Sequence, residues 1–168
     1  MGVTANPAAN PVADRSAHSA DALLQAFLAT DYSVAFDGVE LCVRIGQPCD
    51  GLGEALGERD WAIMTACNPG GEIREAASNQ VANAELARAC DRSGLGRWPA
   101  VNRARQGNWP DEPGWLISPA PVDWLARQAE AFGQVGVVVG SGPGPAQLWL
   151  YGPGWPDALP ADVVQGAR

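Results

Sequence analysis

Apolar residues recur along this chain with two periods, and the switches between them mark its elements. From Ala22 to Ala29 the period is helical, with Leu23, Leu24, Phe27 and Leu28 on one face behind Asp21 as a candidate N-cap. Tyr32, Val34 and Phe36 then alternate with Ser33 and Ala35. After Asp37-Gly38 a second alternation begins, Val39, Leu41, Val43 and Ile45 against Glu40, Cys42 and Arg44. Two alternating runs joined by Asp-Gly predict an antiparallel hairpin, covered on at least one side because one face is apolar.

Asp50–Glu58 reads as a short helix. Trp61–Ala66 is an almost continuous apolar run that stops at Asn68-Pro69-Gly70-Gly71, which predicts a central strand ending in a turn. A helix follows over Glu75–Ser93, closed by Gly94. Its inward stripe is Ala82, Leu86, Ala89 and Cys90, with Asn79 and Asn83 on or beside it, while Arg88 and Arg92 lie opposite. Trp98–Ala104 and Trp115–Ser118 are further strands, separated by a polar loop over Arg105–Gly114. Pro121 opens a helix to Phe132. Val135–Val139 and Gln147–Tyr151 complete the strands.

The order α-ββ-α-β-α-ββ-α-ββ predicts an α+β single domain. Its sheet is expected to be mixed or mostly antiparallel, with six to seven strands and helices packed on it. Residues 1–20, rich in Ala, Asn, Pro and Ser, read as a disordered leader. Residues 21–151 read as the domain, and 152–168, with three prolines (Pro153, Pro156 and Pro160), as a C-terminal tail.

Composition narrows the chemistry. The 11 basic residues are all Arg, so a P-loop, Schiff-base or general-base lysine is excluded. The single histidine, His18, lies in the leader and leaves a serine or cysteine nucleophile without an evident imidazole. A net charge of −8 opposes nucleic acid and anionic membranes, and no apolar run is long enough to span a bilayer. Cys42, Cys49, Cys67 and Cys90 fit no zinc spacing, so no metal or other cofactor is expected. Reduced thiols and the lack of a signal-peptide pattern point to a cytoplasmic, bacterial-type protein.

Polar residues converge where packing alone would favour apolar ones. Asn68 ends the central strand, where backbone donors and the next helix's start commonly form ligand sites. Asn79, with Asn83 one turn on, sits on the stripe that faces the sheet, and a buried amide needs several partners. A helix returning antiparallel to its strand starts near the strand's end, which makes Asn68 and Asn79 neighbours and places Leu86 near Ile63. Glu112, stiffened by Pro110 and Pro113, is a candidate general base in the polar loop. Each has a purely structural alternative: turn-former for Asn68, buried strut for Asn79, solvated loop residue for Glu112. Cys67 has no base beside it, and Gly70-Gly71 lacks the rest of a phosphate-binding fingerprint.

Several segments together resemble the bacterial domain-of-unknown-function family 3293. They are Trp61–Pro69, Asn79 with Leu86, Trp109–Pro113 leading into Trp115-Leu116-Ile117, and Ala131-Phe132-Gly133-Gln134 before a valine strand. The resemblance extends over about Ala22–Tyr151. It departs at Cys67, where the family carries a bulky residue, and at Glu75, Ser78 and Ala82, where the family carries Ser, Glu and Arg. These departures weigh against Cys67 as a nucleophile and against a charge role for that helix. The resemblance implies a small bacterial α/β protein and supplies no established activity or cofactor. Gln134, where a helix turns into a strand, either closes that turn or reaches the site.

The sequence reading is thus a small polar ligand bound in a pocket at the end of the central strand. Its candidate residues are Asn68, Asn79, Asn83, Glu112 and Gln134. One alternative is an acidic protein-interaction or regulatory module that docks a basic protein partner without catalysis. Another is a hydrolase-like enzyme that uses a carboxylate.

Overall fold

Asp37 and Gly38 both adopt positive φ, 47° and 84°, the left-handed pair that a type I′ turn requires. They join β1 (Thr30–Phe36) to β2 (Val39–Val43) in register, with Phe36 opposite Val39 and Tyr32 opposite Val43. Space around a Cβ at Gly38 is open, so the cost of a side chain there is purely conformational. Gly38→Val is expected to lose about 1–3 kcal/mol in urea denaturation.

The computed structural model describes residues 11–166, with the backbone element alone for 11–19. In chain order the remaining elements are α1 (Pro11–Leu28, preceding the hairpin), α2 (Asp50–Leu56), β3 (Asp60–Met64) and a single 3-10 turn at Pro69–Gly71. Then come α3 (Ala76–Arg92), β4 (Gly96–Ala104), β5 (Glu112–Ser118), α4 (Val122–Ala131), β6 (Gly136–Ser141), β7 (Gln147–Leu150) and β8 (Val163–Gln165). The fold is α+β with one eight-stranded sheet in the order β2-β1-β4-β5-β3-β6-β7-β8. Every pairing is antiparallel except β7 with β8, which makes the sheet mixed. Among the described residues no helix is long and apolar enough to cross a membrane.

Three departures from the sequence reading have physical reasons. The sheet has eight strands rather than six to seven. The added strand is β8, in the segment read as a tail, where Val163 is buried and Trp155 and Leu159 pack on the core. Three residues are too few to show alternation against a proline-rich background. The first helix starts at Pro11 rather than beside Asp21. Proline suits a first helical position, and Ala13, Ala17 and Ala20 favour helix without contributing an apolar stripe. Residues 1–10 of the expected leader lie outside the described residues. Finally, Leu86 does not meet Ile63.

That last difference follows from the two faces of β3. Trp61 and Ile63 join a core with Leu24 of α1 and Leu52 and Leu56 of α2. Ala62 and Met64 join a second core with Leu86 and Cys90 of α3 and Trp124 and Leu125 of α4. Successive strand residues point to opposite faces, so a helix on the Ala62 side cannot reach Ile63. The sheet is therefore a middle layer buried on both faces, and all of Trp61–Asn68 is buried. The four cysteines are free thiols, and only Cys42 is exposed.

Candidate functional site

The run that begins as β3 continues past Met64 as buried, irregular chain through Thr65, Ala66 and Cys67 to Asn68. Thr65 Oγ1 accepts from the Cys67 N–H at 3.0 Å and donates to the Pro113 carbonyl at 2.7 Å, which stitches this segment to β5. Asn68 then takes a left-handed conformation, φ 49° and ψ 58°, which asparagine tolerates better than other non-glycine residues. The turn places its side chain inward, where it is 4% exposed.

Asn68 organises everything around it. Its N–H donates to Asn79 Oδ1 at 2.9 Å, and its Oδ1 accepts from Asn79 Nδ2 at 2.8 Å and from the Arg74 N–H at 2.9 Å. Its Nδ2 donates to Glu112 Oε1 at 2.7 Å. The same Glu112 oxygen accepts from Trp109 Nε1 at 3.0 Å. On the other side, Gln134 Nε2 donates to the Cys67 carbonyl at 2.9 Å and to Phe132 O at 3.3 Å. Gln134 therefore both closes the α4–β6 turn and braces the strand end. Gly133 (φ 59°) stands against Pro69, where a Cβ would come within 2.8 Å of the proline ring.

The sequence-derived residues separate on this geometry. Asn68, Glu112 and Gln134 line one cavity of about 150 Å³ between α1 and the sheet. Asn79 stands behind Asn68 and does not line it. Both functional groups of its amide pair with Asn68, which is a strut's arrangement. Asn79→Ala is expected to lose about 1–3 kcal/mol of stability in urea denaturation, from the partners left unpaired. Asn83 is away from this cluster: it is buried on α3, its carbonyl accepts from Trp115 Nε1 at 3.2 Å, and its Oδ1 has no partner.

The position of Glu112 is a correction to the sequence reading. It opens β5 opposite Asn102 of β4 rather than lying in the polar loop. Proline after it does not break the strand, because a fixed φ near −65° is compatible with extended chain and only the N–H is lost. Burial raises its carboxyl above the usual 4.5, against the pull of hydrogen bonds from Asn68, Trp109 and Asn102. Ionisation is thus disfavoured by folding. The stability linked to this group is complete below its unfolded pKa and is lost as pH rises through the raised folded value. Glu112→Gln is expected to gain on the native protein as pH rises above about 4, read as the change in urea midpoint difference.

Tyr32, Asn102 and Trp109 belong to the site but not to the sequence-derived set. Tyr32 lines the cavity from β1 and donates to the Phe27 carbonyl at 3.0 Å. Asn102 faces both Tyr32 and Glu112 across its two strand partners, and its Oδ1 is buried without a partner. Only strand register, invisible in sequence, brings these together. Trp109 and Glu112, at a spacing of three, were the one local signal available. Leu23, Phe27, Ile63 and Val138 supply the apolar wall. Cys67 lines the cavity too, but burial pushes its thiol up, and its Sγ lies 3.5 Å from the Pro113 carbonyl. That environment favours the thiol over the nucleophilic thiolate. Among the described residues no group of three or more His, Cys, Asp and Glu could hold a metal ion.

Residues 64–137 match the model of a family described as "Protein of unknown function (DUF3293)". The matched segment contains Thr65, Cys67, Asn68, Asn79, Glu112 and Gln134, which is the whole strand-end network, and excludes α1 and Tyr32. No curated protein and no solved structure matches the chain.

Proposed function

We propose that this protein binds a small molecule in the cavity beneath α1, with an apolar body against Leu23, Phe27, Ile63 and Val138 and a polar head at Glu112. The observation that carries this reading is the cavity itself. It holds about 150 Å³, is mostly apolar, and includes in its wall a half-buried carboxylate positioned by Asn68 and Trp109. An apolar cavity of roughly 150 Å³ accommodates a benzene-sized group. Convergent polar groups on an apolar pocket are the usual form of a small-molecule site. The ligand is therefore less polar in its body than the sequence reading suggests, and polar at one end.

A thermal-shift screen against a metabolite library tests this. A ligand at about 100 times its Kd adds about 2.7 kcal/mol, or roughly 5–10 °C for a chain of this size. Hits are expected to combine an apolar body with one polar end. Ala104→Leu, which places a larger side chain on the cavity wall, is expected to remove the shifts. A screen without hits, or hits indifferent to Ala104→Leu, would defeat the proposal.

A further inference from the structure

We infer that the ligand's polar head is an organic cation, an ammonium or amidinium group carried on an apolar body; this rests on the binding reading above and names its chemical class. The first support is the way hydrogen-bond donors on the wall are used. Thr30 donates to Ala26 O, Tyr32 to Phe27 O, and Thr65 to Pro113 O. Asn68 and Trp109 donate to Glu112 Oε1, and the Gln134 amide donates to Cys67 O and Phe132 O. These donors are turned to protein acceptors, whereas the Glu112 carboxylate and the buried, unpartnered Oδ1 of Asn102 remain on the wall beside the Gln106 amide. A ligand that offers donors meets both of these acceptors.

The second support is charge. Glu112 is the only charged side chain among the described residues that line the cavity. Arg105, which reaches the Leu28 carbonyl at 2.9 Å and lies 3.5 Å from Asp31, does not line it. Arg74 is paired with Glu72. A half-buried carboxylate without a cationic partner carries a desolvation penalty that an entering cation relieves. Burial raises the Glu112 carboxyl, as such an unpaired group requires.

The third support is the aromatic ring beside the carboxylate. Trp109, 39% exposed beside Glu112, presents an aromatic ring at the same place, and such a ring attracts cations.

The test is calorimetric titration of the full chain near neutral pH with benzylamine, benzyl alcohol and benzoate, which share a phenyl body sized to the cavity. Benzylamine is expected to bind about tenfold or more tighter than benzyl alcohol, with benzoate weakest. In Glu112→Gln the amine should fall to the level of the alcohol while the alcohol is unchanged. If that variant does not fold, the order of the three probes on the native protein decides. Alcohol equal to or tighter than amine, or benzoate tightest, overturns the cation and leaves the cavity reading standing. No binding by any of the three removes the cavity reading and this inference with it.

Discussion

Asn68→Ala is expected to destabilise the protein by about 3–5 kcal/mol, well beyond the usual effect of a single polar substitution. Two costs add. Alanine in the left-handed region occupied here, φ 49° and ψ 58°, gives up roughly 1–2 kcal/mol. The lost side chain also strands the Arg74 N–H and the Asn79 amide, and releases Glu112 from its bond to Nδ2. Buried groups left unpaired cost about 1–3 kcal/mol. Asn68→Gly incurs only the second cost, so it is expected to be about 1 kcal/mol milder than alanine. Urea denaturation of both variants reads the order directly. Glycine as damaging as alanine would mean the backbone conformation contributes nothing, and a loss below 1 kcal/mol in both would mean the network does not hold the strand end.

The sequence carried the local half of this site and not the rest. Asn68 and Asn79 were predictable neighbours, since a helix that follows a strand through a tight turn must begin beside the strand's end, and the two amides do bond directly. The hairpin at Asp37-Gly38 and the central position of β3 were legible for similar reasons: turn chemistry and unbroken apolar runs are local signals. Glu112 was singled out for its prolines, but its role comes from Asn68, forty-four positions earlier, and from Asn102 across the β4–β5 pair. Register between strands is set by long-range pairing, which no periodicity displays. Leu86 shows the same limit in reverse. The stripe that buries it was correct, yet which face of β3 receives it depends on which side α3 crosses.

The cavity was illegible for a further reason: one side of its wall is α1. Leu23 and Phe27 stand in the apolar stripe of that helix, and each packs against a glycine. A Cβ at Gly136 would come within 2.6 Å of the Phe27 ring, and one at Gly71 within 3.1 Å of Leu23. The space beneath α1 is therefore set by how near that helix approaches two glycines. Neither residue type nor spacing reports such a distance.

Gly140→Ala is expected to be the most damaging small substitution in the sheet, at about 3 kcal/mol or more, the upper range for overpacking. Gly140 lies opposite Trp61 in the β3–β6 pair, and the indole lies across it. A Cβ there would fall 2.2 Å from Cζ2 and 2.6 Å from Cε2. Trp61 is fully buried, so the ring has no solvent side to move toward. The alternative is to displace β3 from β6, which also moves the segment that carries Thr65, Cys67 and Asn68. Trp61→Phe removes the atoms that clash and deletes an Nε1 donor that is buried without a partner. Alone it leaves a void and is expected to cost about 1–3 kcal/mol. Combined with Gly140→Ala, it should give a double variant more stable than the sum of the two losses implies, with a coupling of about 1–2 kcal/mol. Strict additivity in a double-mutant cycle by urea denaturation would show that the indole does not fill the space above Gly140, and with it that β3 is not held to β6 in this way.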